Sequence, residues 1–198
     1  ERGKGKVELA GRLDLSNVED LGFEVRVQVE DLPYRYEDIF IAPGLDVDLA
    51  LTGSESSSRL SGRISVRQAL TEMTLVTFNA PTPPPRPPTL KDEMLENLTL
   101  DVSTSIEKLE IDSEAAQGYI SGNINVDGTF YKPTFQGDLE IDEGKVIIFS
   151  RPFDIQQGRI ALNSLVPTQS LVDLAYDPLL LDPEVDLIAE HTTVDAKD

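Results

Sequence analysis

The 198-residue sequence contains no cysteine, no tryptophan and a single histidine, His191. The lack of cysteine excludes disulfides, thiol nucleophiles and cysteine-ligated zinc, and one histidine argues against histidine-based triads and histidine-rich metal sites. No run approaches the roughly 20 apolar residues of a membrane-spanning helix, and no signal peptide opens the sequence at Glu1, so we expect a piece of a longer protein. We predict that the chain is not an enzyme and needs no cofactor and no metal.

Positive charge is also scarce, because 17 Lys and Arg residues face 36 Asp and Glu residues, a formal net charge of −19. Such a surface cannot neutralise a run of phosphates, so we predict no nucleic-acid partner and no adsorption to an anionic membrane through a basic patch. Carboxylates spaced two apart, such as Asp46 and Asp48, could serve calcium or acid catalysis. On a strand they are ordinarily only solvated.

Apolar residues recur at every second position along most of the chain, as in Phe23, Val25, Val27 and Val29. This alternation is typical of strands with one apolar and one solvated face, and it predicts an all-β, antiparallel-rich fold. Turn signals separate the runs and predict hairpin or bulge positions, among them residues 142–145, and we interpret residues 137–145 as a hairpin turn. Helix signals are weak, the best lying at residues 90–97 and a weaker one at residues 67–73.

A proline-rich segment, APTPPPRPP at residues 80–88, interrupts the alternation. Proline removes hydrogen-bond donors from a sheet, so this segment predicts a connector. We divide the chain into a first β block (1–79), the connector (80–97), a second β block (98–180) and an acidic tail (181–198) in which a last edge strand fits. Blocks of about 80 residues are small for separate cores, which favours one continuous sheet.

Residues 118–163 carry a more specific pattern. It comprises Gly128-Thr129, Pro133, Phe135-Gln136-Gly137, a Gly144 turn signal, Phe153-x-Ile155 and Gly158-x-Ile160. This region resembles the C-terminal domain of the TamB family, the translocation and assembly module proteins of the envelope of diderm bacteria, within the wider AsmA-like group.

The resemblance implies a long curved sheet folded as a half-pipe, β-taco-like, with an apolar concave groove. It further implies that the groove shelters phospholipid acyl chains for transport between the inner and outer membranes. An outer-membrane barrel of the TamA type and outer-membrane protein clients are implied as further partners. The implied location is the periplasm, as part of a longer protein anchored in the inner membrane.

On this interpretation the alternating apolar side chains are the candidate lipid-contacting residues. They are Val7, Leu9, Leu13, Leu15, Phe23, Val25, Val27, Val29, Val47, Leu49, Leu51, Ile64, Val66, Leu98, Leu100, Val102, Ile120, Ile124, Val126, Phe135, Leu139, Ile141, Val146, Ile148, Ile160 and Leu162.

Three alternatives remain open at this stage. A chaperone-like assembly factor would add a client strand to an open sheet edge. A structural or adhesin module would use the same aliphatic residues as a closed core, which is what alternation alone more often means. An acidic β-sandwich hydrolase is the third. Phospholipid that co-purifies with the chain would favour the groove over all three.

Overall fold

The computed structural model describes residues 5–16, 20–36, 40–54, 56–71, 93–163 and 183–191. Nine strands within them form one sheet in which spatial order follows chain order. The strands are β1 (Lys6–Asp14), β2 (Gly22–Tyr36), β3 (Phe40–Gly53), β4 (Ser58–Thr71), β5 (Leu98–Asp112), β6 (Ala116–Thr129), β7 (Lys132–Ile148), β8 (Arg151–Asn163) and β9 (Glu184–Glu190), with one short helix, α1 (Glu93–Glu96), before β5. The predicted all-β fold is confirmed.

Neighbouring strands are antiparallel except for β4 and β5, which run parallel with Ser58 opposite Leu98 and Thr71 opposite Ile111. Both β blocks therefore contribute to a single sheet. Among the described strands, β1 and β9 each pair on one side only, so the sheet is open and not closed into a barrel. Most of the predicted connector at 80–97 lies outside the described residues.

Two local predictions are wrong. Residues 67–71, predicted as the start of a helix, continue β4, because hydrogen bonding to a strand on each side outweighs a weak helix propensity. The hairpin turn predicted within 137–145 is the interior of the 17-residue strand β7. A β-bulge instead places Asp142 between residues that pair with consecutive positions of β6. The bulge alternative for residues 142–145 is therefore confirmed, and the chain does not reverse there.

Burial is greatest near the middle of the sheet and least at its edges. Ala42, Val66 and Ala69 form a buried cluster, against which Ile106 of β5 packs. Leu9, by contrast, is 72% exposed. The core therefore lies on one side of the central strands.

A second bulge bends β2 near Asp31, where the register to β3 shifts between Val29 and Leu32. Asp31 has a φ of 54°, a conformation that aspartate tolerates better than most residues. Its backbone N–H donates to Asp46 Oδ1 at 2.8 Å, and Arg67 reaches both carboxylates, at 2.9 Å and 3.1 Å. These contacts hold the bulge in place across β2, β3 and β4.

Asp20 ties the start of β2 to the turn between β3 and β4. Its Oδ2 accepts hydrogen bonds from the hydroxyls of Ser54 and Ser56, at 2.9 Å and 2.8 Å. These bonds, with Ser54 the larger influence, lower the pKa of Asp20 below its ordinary value of 3.8. Because the pKa of Asp20 is lower in the folded state, its ionised carboxylate stabilises the fold above pH 3.8. This stabilisation is lost as the pH falls through the folded-state pKa.

We therefore expect Asp20→Asn to lower the urea midpoint slightly at pH 7 and to have no effect once the pH is below the folded-state pKa of Asp20. The exposed Asp127 supplies a matched control, since Asp127→Asn removes the same negative charge from the chain. Circular dichroism at both pH values measures the midpoints. An equal effect of the two substitutions would mean that net charge, and not the bonds from Ser54 and Ser56, determines the loss.

Candidate functional site

Strand register places apolar side chains on one face of the sheet from β1 to β9. Directly paired residues in a sheet project to the same side, so the face can be followed from strand to strand. One such row starts at Leu9, continues to Val27 and Leu49, and crosses Gly62 to Val102. We call this side the apolar face and the opposite side the polar face.

All candidate lipid-contacting residues except Leu15 lie on the apolar face. They are Val7, Leu9 and Leu13 of β1; Phe23, Val25, Val27 and Val29 of β2; Val47, Leu49 and Leu51 of β3; Ile64 and Val66 of β4; Leu98, Leu100 and Val102 of β5; Ile120, Ile124 and Val126 of β6; Phe135, Leu139, Ile141, Val146 and Ile148 of β7; and Ile160 and Leu162 of β8. Leu15 follows the end of β1 and is exposed.

The register adds apolar-face residues that the candidate set omitted. Ile106 and Leu109, three positions apart, both lie on this face because a bulge inserts one residue between them. Leu32 joins the face beyond the bulge at Asp31, opposite Leu45. Each bulge adds one residue, so the alternation of apolar and polar positions shifts by one beyond it. A spacing of three between aliphatic residues was the sequence signal that could have revealed these bulges.

The polar face is solvated and carries ion pairs. Arg59 pairs with Asp101, and Arg159 pairs with Asp138, its Nε donating to Oδ1 at 2.9 Å. The side chains of both pairs are more than half exposed, so each pair contributes little to stability. The charged residues keep this side of the sheet in water.

Two shallow depressions of about 680 Å³ and 580 Å³ open on the polar face, not on the apolar face. The larger lies over β2 to β5 and is lined by charged side chains that include Arg26, Asp48 and Arg63. A lining of this kind suits water and ions and not hydrocarbon. We therefore take the apolar face itself as the candidate site, although these two depressions lie on the opposite face.

Glycines interrupt the apolar face where two backbones come close together. Gly62 and Gly122 have φ values of 138° and 145°, which residues with a side chain rarely adopt. A Cβ atom would overlap the carbonyl oxygen of Asp48 at the first position and that of Asp138 at the second. Glycine kinks of this type are a known means of curving a sheet.

Among the described residues, no group of three or more His, Cys, Asp or Glu side chains could hold a metal ion. The same part of the chain has no helix long and apolar enough to span a membrane. The apolar face is mostly aliphatic, and Ser58 of β4 and Arg151 of β8 are among its polar members.

Comparison with known families relates the chain to a described domain. A family model described as the TamB C-terminal domain matches residues 1–180, a range that includes β1 to β8. No curated protein matches the chain.

Proposed function

Because the chain belongs to the TamB family, we propose that its apolar face binds phospholipid acyl chains and forms part of a route for phospholipid between the inner and outer membranes. Membership places it among envelope-associated proteins of the translocation and assembly module, a family of non-enzymatic bridge and assembly components associated with the partner TamA. The observation that carries the proposal is that strand register places apolar side chains on one face in all nine strands.

We propose that the sheet curves toward this face and forms a half-pipe. Ile120, Leu100 and Leu162 on the apolar face are 4%, 5% and 6% exposed, although the described strands form a single layer. Side chains on one face of a single layer shield one another best when the sheet bends toward them. The kinks at Gly62 and Gly122 favour such a bend.

The apolar face is long enough for acyl chains that lie across the strands. Eight spacings of about 4.8 Å give about 38 Å from β1 to β9. The hydrocarbon core of a whole bilayer is about 30 Å thick, so the acyl chains of one leaflet span roughly 15 Å. A lipid tail would therefore contact several strands, with its head group left in water.

The chemistry of the apolar face suits carriage better than tight capture. Each CH₂ group buried there gains about 0.8 kcal/mol relative to water, which offsets what the lipid loses on leaving the bilayer. Aliphatic side chains make no directional bonds, so binding at neighbouring positions along the face is nearly equal in free energy. Movement along the sheet then meets no deep minimum.

The remaining proposals follow from family membership. We propose that the chain works in the periplasm as part of a longer protein anchored in the inner membrane, with a barrel of the TamA type as its outer-membrane partner. We also propose that residues 1–79 and 98–180 act as one unit, since their strands adjoin in one sheet at β4 and β5.

Photocrosslinking tests lipid contact on each face of the sheet. A photoreactive amino acid replaces Val25 or Ile124 on the apolar face, or their neighbours Glu24 and Asn125 on the polar face. The 198-residue chain is incubated with phosphatidylethanolamine and phosphatidylglycerol vesicles, irradiated and examined by mass spectrometry. We expect lipid adducts at Val25 and Ile124 at least about tenfold more often than at the polar-face positions.

Equal labelling of the two faces would contradict the proposal, and so would the absence of adducts on both. The neighbouring positions make a close control, because each pair shares a strand and differs only in the face to which the side chain projects. Each variant must retain the circular dichroism spectrum of the unmodified chain before its adducts are compared.

A second candidate function rests on the edge strand β1. All nine of its residues are exposed, and its outer edge pairs with no other described strand. An open edge can accept a strand from another polypeptide through main-chain hydrogen bonds, as an assembly factor for outer-membrane proteins would require. In the same experiment, a photoreactive residue replaces Glu8 and outer-membrane protein segments are added. Peptide adducts at position 8 without lipid adducts at position 25 would favour this function.

A further inference from the structure

The hairpin between β7 and β8 ends in a tip that is apolar on both sides of the sheet. We define the β7–β8 tip as residues 146–153, which read VIIFSRPF and carry one charge. Val146 and Phe153 pair on the apolar face, whereas Ile147 and Pro152 pair on the polar face. Elsewhere in the sheet the polar face is mostly hydrophilic, so the tip departs from the pattern that keeps that face in water.

The end of the tip, residues 148–151, projects beyond its neighbours, whereas the base contacts them. There the Ile147 N–H donates to Ala115 O at 2.9 Å, and the His191 ring lies against Phe153 with its Nδ1 2.7 Å from Pro152 O. Pairing with β6 ends at Val146, and pairing with β9 begins only at Asp154. Phe149, at the end of the hairpin, is 95% exposed, and Ile147 and Ile148 are 42% and 39% exposed. Three consecutive large apolar side chains therefore face water at one point of a strongly acidic protein.

The backbone geometry of the turn at the tip favours residue types other than the Phe149 and Ser150 that occupy it. Phe149 and Ser150 have φ values of 51° and 60°, and Ile148 pairs directly with Arg151, which defines a two-residue hairpin loop. Such loops favour Asn-Gly or Asp-Gly, because both central residues need positive φ. A bulky aromatic residue there is strained and makes little contact with the rest of the fold, which points to a role outside the fold.

We infer that the β7–β8 tip inserts into the interface of a lipid bilayer. The tip is apolar on both faces and at its end. A bilayer surrounds an inserted hairpin on all sides, whereas a protein groove usually contacts one face of it. The one charge, Arg151, stands beside the apolar residues, where a lipid phosphate could pair with it. The proposal is independent of lipid carriage by the apolar face.

Charge determines which bilayer the tip prefers. The chain carries a formal net charge of −19, so an anionic surface repels the protein as a whole even though Arg151 is cationic. We therefore expect stronger binding to phosphatidylcholine vesicles than to vesicles with one third phosphatidylglycerol. Added salt narrows the difference, because it screens the repulsion.

Tryptophan fluorescence tests insertion directly, because the chain has no tryptophan of its own. Phe149→Trp places a single probe at the tip, and Tyr131→Trp places one at the β6–β7 turn, at the opposite end of β7. On addition of phosphatidylcholine vesicles we expect a blue shift and quenching by brominated acyl chains for Phe149→Trp only. An unshifted Phe149→Trp spectrum, or equal shifts of the two probes, would overturn the proposal.

A second variant separates binding from folding. The double substitution Phe149→Asn and Ser150→Gly supplies the residues that the turn favours and removes the exposed ring. We expect a urea midpoint at least as high as that of the unmodified chain, with binding to phosphatidylcholine vesicles in a flotation assay at least about tenfold weaker. Unchanged binding would overturn the proposal. Crosslinks at Val25 and Ile124 report on the apolar face separately, so the two proposals can fail independently.

Discussion

Replacing Gly122 with alanine is expected to lower the free energy of unfolding by about 2–6 kcal/mol, since strain at a positive φ and overpacking each cost about 1–3 kcal/mol. Gly122 has a φ of 145°, and an added Cβ would lie 2.9 Å from Leu139 Cα and overlap the carbonyl oxygen of Asp138. Both contacts are with backbone, which cannot move aside as a flexible side chain would. Urea unfolding followed by circular dichroism measures the loss.

Gly11→Ala is the matched control. Gly11 also lies on the apolar face, but its added Cβ would be 3.8 Å from the nearest atom, the carbonyl oxygen of Glu24. We expect no loss of stability there, and a gain of up to about 1 kcal/mol, because alanine loses less conformational freedom on folding than glycine. If the substitutions at Gly11 and Gly122 had the same effect, the close approach of β6 to β7 would not be what requires glycine.

The second large effect concerns charge on the apolar face. Ile120 in β6 is 4% exposed and lies between Leu109 and Ile141, so we expect Ile120→Asp to unfold the chain at neutral pH. Loss of a buried isoleucine side chain alone costs about 2–5 kcal/mol. The carboxylate would then be buried without a partner, which adds to a loss that is already a large fraction of the total stability of many domains.

The same strand provides the control on its other face. Asn125 is exposed and pairs with Ser103 and Gln136, so Asn125→Asp adds the same charge where water can solvate it. We expect its unfolding free energy to stay within about 0.5 kcal/mol of the unmodified value. Thermal melts of the two variants in parallel provide the measurement. A folded Ile120→Asp protein with an unchanged melting temperature would contradict the assignment of this face as the core.

Alternation in the sequence predicted which side chains share a face, because a strand turns each successive residue to the opposite side and needs no tertiary information to do so. The prediction holds along β2, where Val25, Val27 and Val29 all lie on the apolar face. It fails for residues that follow a bulge, such as Leu109, which alternation did not assign to this face. The position of a bulge depends on the strand alongside, so a local period cannot supply it.

The direction in which neighbouring strands pair was harder to predict from the sequence. The alternation in residues 58–71 fits a parallel or an antiparallel neighbour equally well, so nothing local predicts that β4 runs parallel to β5. The β7–β8 tip is the opposite case. The run Val146-Ile147-Ile148-Phe149 breaks the two-residue period in the sequence itself, but only the hairpin reveals that its residues project to both sides and into water.

The parallel pairing of β4 with β5 is expected to determine the order in which the strands assemble during folding. Most other pairs close over tight turns, whereas each pair between these two strands joins residues 40 apart, from Ser58 with Leu98 to Thr71 with Ile111. The entropy lost in closing a loop grows with its length, and contacts distant in sequence slow folding. We therefore expect the meanders β1–β4 and β5–β8 to form first and their docking along β4 and β5 to limit the folding rate.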